Sequence, residues 1–81
     1  MSFVDILKED PNNEEALLEL YDNFFGNGGL TAGLIFENRM KGYDYTEAVY
    51  WSMREMYGLD LSIESFNKMI LLMREREGIT D

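Results

Sequence analysis

The chain has 81 residues, with 16 acidic and 7 basic side chains, a formal net charge of −9 at pH 7, and neither histidine nor cysteine. These figures exclude a disulfide framework, a thiolate or imidazole metal site, and a catalytic pair of serine or cysteine with histidine. The negative charge also argues against direct binding of nucleic acid, which normally needs a basic surface.

Hydrophobic residues make up 46% of the chain, which is enough for a folded core. We therefore expect one helical domain over residues 1–81. The first residues lack a basic stretch followed by a long apolar run, and the longest apolar run, residues 69–73, is too short to cross a bilayer. A cytoplasmic protein without membrane contact is the expectation.

Two helices are predicted in the first third of the chain. Ser2, with an acidic residue three positions later, fits the start of a short helix that the Asp-Pro pair at 10–11 ends. Asn13 fits the N-cap of a second helix, which runs to Phe25 and carries acidic residues in its first turn. Gly26 is then expected to be the left-handed residue that ends it.

A third helix is predicted from Thr31 to about Lys41, with Gly42 as the glycine that follows its C-terminus. Gly33 lies inside this helix, where glycine costs roughly 1 kcal/mol relative to alanine. We therefore expect it to mark a close approach of another backbone.

The fourth and fifth helices have the clearest start signals. Asp44 and Glu47 have the spacing of a capping box, and the helix that follows ends at Gly58. Ser62 fits the N-cap of the last helix, which ends at Gly78.

No segment alternates apolar and polar residues over the length of a strand. The predicted fold class is therefore all-α, a compact bundle of four main helices plus a short N-terminal helix. Apolar residues that recur at helical spacing form the predicted core: Leu17, Leu20, Phe24, Leu34, Ile35, Val49, Met53, Phe66, Met69, Ile70 and Met73.

Patterns that would indicate catalysis or ligand binding are weak. The glycine-rich stretch 26–33 follows a helix and lacks the Gly-Lys-Ser/Thr sequence of a phosphate loop. A calcium loop starting at residue 10 would have Glu15 in the place of its glycine and Tyr21 in the place of its bidentate glutamate. Residues 53–70 have the spacing of a helix-turn-helix, but the acidic molecule repels phosphate. We expect no enzyme, no cofactor and no metal.

Aromatic residues, methionine and arginine crowd around the fourth helix, and these residue types are enriched at protein interfaces. One helix in a domain this small cannot bury all of them. We therefore expect Tyr45, Tyr50, Trp51 and Arg54 to contact a partner. For Trp51, a position in the core agrees with the sequence equally well.

The acidic surplus is concentrated in residues 1–30, which hold seven acidic side chains and one basic one. Such a surplus usually serves only to keep a protein soluble. The alternative is that Glu14, Glu15, Glu19 and Asp22 form a carboxylate array that occupies a basic groove on another protein, as nucleic acid would. Small acidic proteins without histidine or cysteine are common among phage-encoded inhibitors of host enzymes, although the chain carries no family motif.

The function predicted from the sequence is thus a non-enzymatic protein-binding module. It would be a small acidic inhibitor that occludes a basic surface of a partner protein, for example one that binds nucleic acid. The alternative is a self-associating helical module, a homodimer without a foreign target.

Overall fold

The computed structural model describes residues 2–78, which form five helices and contain no strand. The helices are α1 (Phe3–Glu9), α2 (Glu14–Phe25), α3 (Gly29–Met40), α4 (Tyr45–Tyr57) and α5 (Ile63–Arg76). These helices confirm the predicted all-α class. They form a compact globule with a Cα radius of gyration of 12.4 Å. Within this part of the chain no helix combines the length and the hydrophobicity that crossing a bilayer requires.

The starts predicted at Ser2, Asn13, Asp44 and Ser62 are confirmed by capping hydrogen bonds. The side chains of Asn13 and Ser62 each accept a 3.0 Å hydrogen bond from a backbone amide three residues on. Asp44 and Glu47 form the reciprocal capping box, with bonds of 2.8 and 3.2 Å. Such bonds satisfy amide groups that have no partner inside the helix, and so they determine where each helix begins.

The loop between α2 and α3 differs from the prediction. Gly26 has a φ of −82°, so its predicted left-handed conformation is wrong. Glycine is needed there for space, because an added Cβ would lie 2.9 Å from the carbonyl oxygen of Asp22. The left-handed residue is Gly28, with a φ of 52°, and α3 begins at Gly29, before the predicted start at Thr31. The other predicted stop signals do have positive φ: Gly42, Gly58 and Gly78.

The most extensive helix–helix contacts join α1 to α2, α2 to α5 and α3 to α4. Seven of the residues predicted to form the core are buried, and Leu34, Ile35, Ile70 and Met73 are partly buried. The apolar core comprises Leu7, Ala16, Leu17, Leu20, Phe24, Val49, Tyr50, Met53, Leu59, Leu61, Phe66 and Met69.

Helix α3 turns a polar side towards the rest of the molecule. Thr31 is buried and its hydroxyl donates to the carbonyl oxygen of Phe24. Asn38 is buried as well, and its side-chain amide donates to Ser52 on α4. Nothing lies within 4 Å of the position that a Cβ of Gly33 would take, so the predicted close approach of another backbone is absent at this residue.

Candidate binding surface

Two adjoining apolar grooves open where α2, α4 and α5 meet. They share Thr46 and Phe66, and together we call them the apolar groove. The first part is lined by Tyr21, Phe25, Tyr45, Thr46, Val49, Phe66, Ile70 and Met73. The second part is lined by Thr46, Glu47, Tyr50, Trp51, Ile63, Phe66 and Asn67.

Three large apolar side chains border this groove and remain in contact with water. Tyr45 is 57% exposed, Ile63 is 64% exposed and Phe25 is 39% exposed. Tyr45 and Ile63 are each the first residue of a helix and directly follow the capping residues Asp44 and Ser62. The caps hold the backbone of both residues in place, so the side chains are presented from rigid helix starts rather than from loops.

Tyr50 and Arg54 are engaged inside the molecule. Tyr50 is 9% exposed, and its hydroxyl donates a 2.5 Å hydrogen bond to the carbonyl oxygen of Leu61. The guanidinium of Arg54 donates to the Tyr50 hydroxyl over 2.9 Å and pairs with Asp60 over 2.9 Å. Both residues therefore fasten the turn between α4 and α5. Of the four α4 residues expected to contact a partner, Tyr45 and Trp51 are the better placed to do so.

Trp51 lies between the core position and the exposed position that the sequence left open. Its ring is half-buried and stacks on Tyr43, with the ring centroids 5.9 Å apart and the planes 26° apart. The guanidinium of Arg54 lies 5.0 Å above it, which is a cation–π distance. The remaining part of the side chain lines the second part of the groove. Trp51 thus supports the groove wall from inside and offers part of its surface to water.

The four acidic residues predicted to bind a partner fall into two groups. Asp22 accepts two 2.8 Å hydrogen bonds from Arg76, and Glu14 lies 3.6 Å from the ammonium of Lys68. Hydrogen bonding from Arg76 lowers the pKa of the Asp22 carboxyl below its ordinary value. Within residues 2–78 no ion pair engages Glu15 or Glu19, which are exposed.

The partners of the first group were not anticipated from the sequence. Lys68 and Arg76 both lie on α5, so Glu14 and Asp22 join α2 to α5. Of the four predicted carboxylates, those of Glu15 and Glu19 therefore stay available for another molecule.

We call the exposed face of α2 that carries Glu15 and Glu19 the acidic surface. An open depression lies beside it, between α1 and α2. It is lined by Phe3, Glu19, Asp22 and Asn23. Tyr57 of α4 contacts two of these residues, with its ring edge-on to Phe3 at 5.5 Å and its hydroxyl donating to the side-chain oxygen of Asn23 over 2.5 Å. Burial raises the pKa of the Tyr57 hydroxyl, so this group stays protonated and acts as a donor at neutral pH.

Helix α2 brings the acidic and the apolar surfaces together. Tyr21 and Phe25 line the apolar groove, while Glu19 and Asp22, on the same helix, border the depression on the α1 side. A partner that covers this helix would therefore meet carboxylates and exposed apolar side chains within the same contact.

Of the three exposed apolar residues that border the groove, Phe25 and Ile63 are missing from the residues predicted to bind a partner. Phe25 directly follows Phe24, and two consecutive helical residues cannot point in the same direction. Ile63 lies on the stripe of Phe66 and Ile70, one turn before it, and this stripe is longer than the core can bury. These signals are visible in the sequence, but they become decisive only when the buried face is known.

Among residues 2–78 no group of three or more carboxylates lies close enough together to hold a metal ion. The two carboxylates at the depression, Glu19 and Asp22, are both exposed, and Asp22 is committed to Arg76. Compared with protein-family models, with curated proteins and with solved structures, the chain has no match in any of the three.

Proposed function

We propose that the chain is a non-enzymatic protein-binding module, a small acidic inhibitor in the cytoplasm that occludes a basic, nucleic-acid-binding surface of a partner protein. The observation that carries this proposal is the side-by-side placement of two surfaces along α2. One is the apolar groove, bordered by Tyr45, Ile63 and Phe25. The other is the acidic surface that contains Glu15 and Glu19.

The two surfaces have different roles in this proposal. The net charge of −9 speeds the encounter with a basic partner, and Glu15 and Glu19 orient it towards α2. The apolar groove then holds the complex, because a rigid aromatic anchor such as Tyr45 loses little conformational entropy when it is buried. Charge thus sets the association rate, and the groove sets the dissociation rate.

The first experiment identifies the partner and the surface together. A photo-crosslinking amino acid replaces Tyr45 in one variant and Leu71 in a control, since both residues are about equally exposed, at 57% and 60%. Leu71 lies outside the groove. We expect a single protein to be crosslinked from position 45 and not from position 71. Equal capture from both positions would contradict a specific contact at the groove.

The second experiment measures kinetics with the captured partner. The double variant E15Q/E19Q removes two exposed charges from α2, and E55Q/E75Q removes two exposed charges from α4 and α5. We expect slower association for the first variant than for the second. The difference should fade as salt rises through the physiological range, where the Debye length is about 8 Å. Tyr45→Ala should instead speed dissociation.

Glu14 is left unchanged in this design because it pairs with Lys68. A charge reversal at Glu14, Glu15 and Glu19 together would break that pair. If the association rate ignores salt and is the same for both double variants, the acidic surface serves solubility alone.

A further inference from the structure

Helix α3 carries an apolar face that the rest of the molecule leaves uncovered. Leu30, Phe36 and Met40 are 61%, 64% and 73% exposed, whereas the polar residues Thr31 and Asn38 are buried. This is the reverse of the usual burial pattern on a helix. Contiguous exposed apolar surface of this kind marks a place of contact with another molecule.

The centre of this face has a regular order of small and large residues. Gly29, Gly33, Phe36 and Met40 are separated by four, three and four positions, which places them on one line along the helix. Nothing lies within 4 Å of the position that a Cβ would take on either glycine. The two glycines therefore leave open hollows, and the two large side chains project beside them.

This order is complementary to itself when a second helix runs in the opposite direction. A two-fold axis halfway between Gly33 and Phe36 places Phe36 of one helix over Gly33 of the other. The same operation places Met40 over Gly29. A symmetric dimer requires such a relation, because the surface that one copy presents must fit the same surface on the other copy.

We propose that two copies of this chain associate through this face of α3, with the two helices antiparallel. The charge distribution favours a second copy as the occupant. A chain with a net charge of −9 repels its copy over most of its surface. Residues 29–41, however, hold one acidic residue, Glu37, and two basic residues, Arg39 and Lys41, and the line of Gly29, Gly33, Phe36 and Met40 has no charge. A basic partner would instead be drawn to α2.

The size of the face sets the expected strength. A helix of 12 residues is about 18 Å long. A contact between two such helices is small compared with the roughly 800 Å² per partner of a standard interface. The dimer is therefore weak and transient, so its fraction depends on the protein concentration.

Analytical ultracentrifugation over a range of protein concentrations tests the proposal. We expect the dimer fraction of the unchanged chain to rise with concentration. Phe36→Glu should weaken dimerisation at least about tenfold, because it buries a charge against the partner helix. Leu71→Glu is the matched control, since Leu71 is 60% exposed on α5 and should leave dimerisation unchanged. A chain that stays monomeric at millimolar concentration would overturn the proposal.

A residue swap tests the register. Gly33→Phe alone places two phenylalanines against each other and should abolish the dimer. The double variant G33F/F36G restores a large residue opposite a small one under the same two-fold axis, and so it should restore dimerisation. Circular dichroism checks that each variant keeps its helices. A double variant that is folded but as monomeric as Gly33→Phe would overturn the antiparallel register.

The response to salt separates this inference from the proposed function. Added salt screens the repulsion between two copies of an acidic chain, so dimerisation should be unchanged or stronger at high salt. Association with a basic partner should become slower under the same conditions. A dimer that survives Phe36→Glu but is lost on Tyr45→Ala would place the self-contact at the apolar groove and overturn the role of α3.

Discussion

Asn38 donates a 3.0 Å hydrogen bond from its side-chain amide to the hydroxyl oxygen of Ser52, and both side chains are almost completely buried. The same amide also donates to the carbonyl oxygen of Leu34 over 3.1 Å. The side-chain oxygen of Asn38 is buried without a hydrogen-bond partner among residues 2–78. A polar contact therefore defines how α3 lies on α4, since a hydrogen bond tolerates less displacement than apolar packing does.

We expect this pair to be energetically coupled. Ser52→Ala should cost about 1–3 kcal/mol of unfolding free energy, because it leaves a buried donor of Asn38 without one of its acceptors. The double variant N38L/S52A should cost less than the sum of its single changes, since it removes both polar groups together. Urea unfolding of the unchanged chain, of the single variants N38L and S52A, and of the double variant measures the coupling. Single changes that add to within about 0.3 kcal/mol would mean that the bond contributes nothing specific.

The core prediction concerns Leu20 and Phe66, which are 0% and 3% exposed. Leu20→Ala and Phe66→Ala should each lower the unfolding free energy by about 2–5 kcal/mol, because both leave a cavity. Leu71→Ala is the control at an exposed position and should change it by less than about 0.5 kcal/mol. Thermal or chemical unfolding measures all three, and similar effects at buried and exposed sites would contradict this core.

The same substitution should have opposite effects at two glycines. Gly58 has a φ of 61°, so Gly58→Ala should destabilise the chain by about 1 kcal/mol. Gly33 lies inside α3 with open space around it, so Gly33→Ala should stabilise the chain by about 0.5–1 kcal/mol. Unfolding is compared at a protein concentration low enough to exclude self-association. Changes of the same sign would contradict the backbone assignment at one of the two residues.

The ion pair between Asp22 and Arg76 makes a pH prediction. The pKa of Asp22 in the folded chain is lowered from 3.8, mainly by hydrogen bonding from Arg76. Stabilisation by the pair is therefore complete above pH 3.8 and is lost as the pH falls through the lowered pKa. Asp22→Asn should be slightly less stable than the unchanged chain at pH 7 and equally stable in strong acid. The effect is small because both side chains are largely exposed.

The control for this pH prediction is Glu19→Gln, since within residues 2–78 no ion pair engages Glu19. Its stability difference from the unchanged chain should vary little over the same pH range. Guanidinium or urea unfolding between pH 2 and 7 would show both trends. A deficit of Asp22→Asn that persists unchanged in strong acid would mean that the pair does not act through its charge.

Helix boundaries could be predicted wherever a local signal determines them. Asn13, Asp44 and Ser62 each cap a helix through a backbone amide only three residues away, so the necessary partner is in the same short segment. The loop after α2, residues 26–28, consists of glycine and asparagine, and several backbone conformations agree with that composition. The choice between Gly26 and Gly28 as the left-handed residue depends on how α3 packs, which no local pattern contains.

The buried face of α3 was harder to predict for a similar reason. Its apolar residues Leu34 and Ile35 were expected in the core, yet they are only half-buried, and Asn38 is fully buried. Burial of Asn38 is acceptable because Ser52, which lies in another helix, accepts its hydrogen bond. The sequence likewise indicated Tyr45, Tyr50 and Trp51 as candidate contacts and did not separate them. Tyr50 is buried because its hydroxyl donates a hydrogen bond to Leu61, and this bond depends on the turn between α4 and α5.

The order in which the helices pair has a consequence for how the chain folds and opens. Helices α1 and α2 are consecutive in the sequence, and so are α3 and α4, whereas α2 and α5 are separated by two other helices. Short connections close quickly and at low entropic cost. The two consecutive pairs should therefore form first, and the docking of α5 on α2 should complete the structure.

Partial unfolding is expected to follow the reverse order. Detachment of α5 would expose the buried face of α2, including Leu17 and Leu20, before either consecutive helix pair separates. Amide hydrogens of α5 should then exchange with solvent at a lower free energy than those of α2. A protease that attacks this transient state would cut first in α5. The lifetime of the chain in a cell would then depend on the free energy needed to detach α5 from α2.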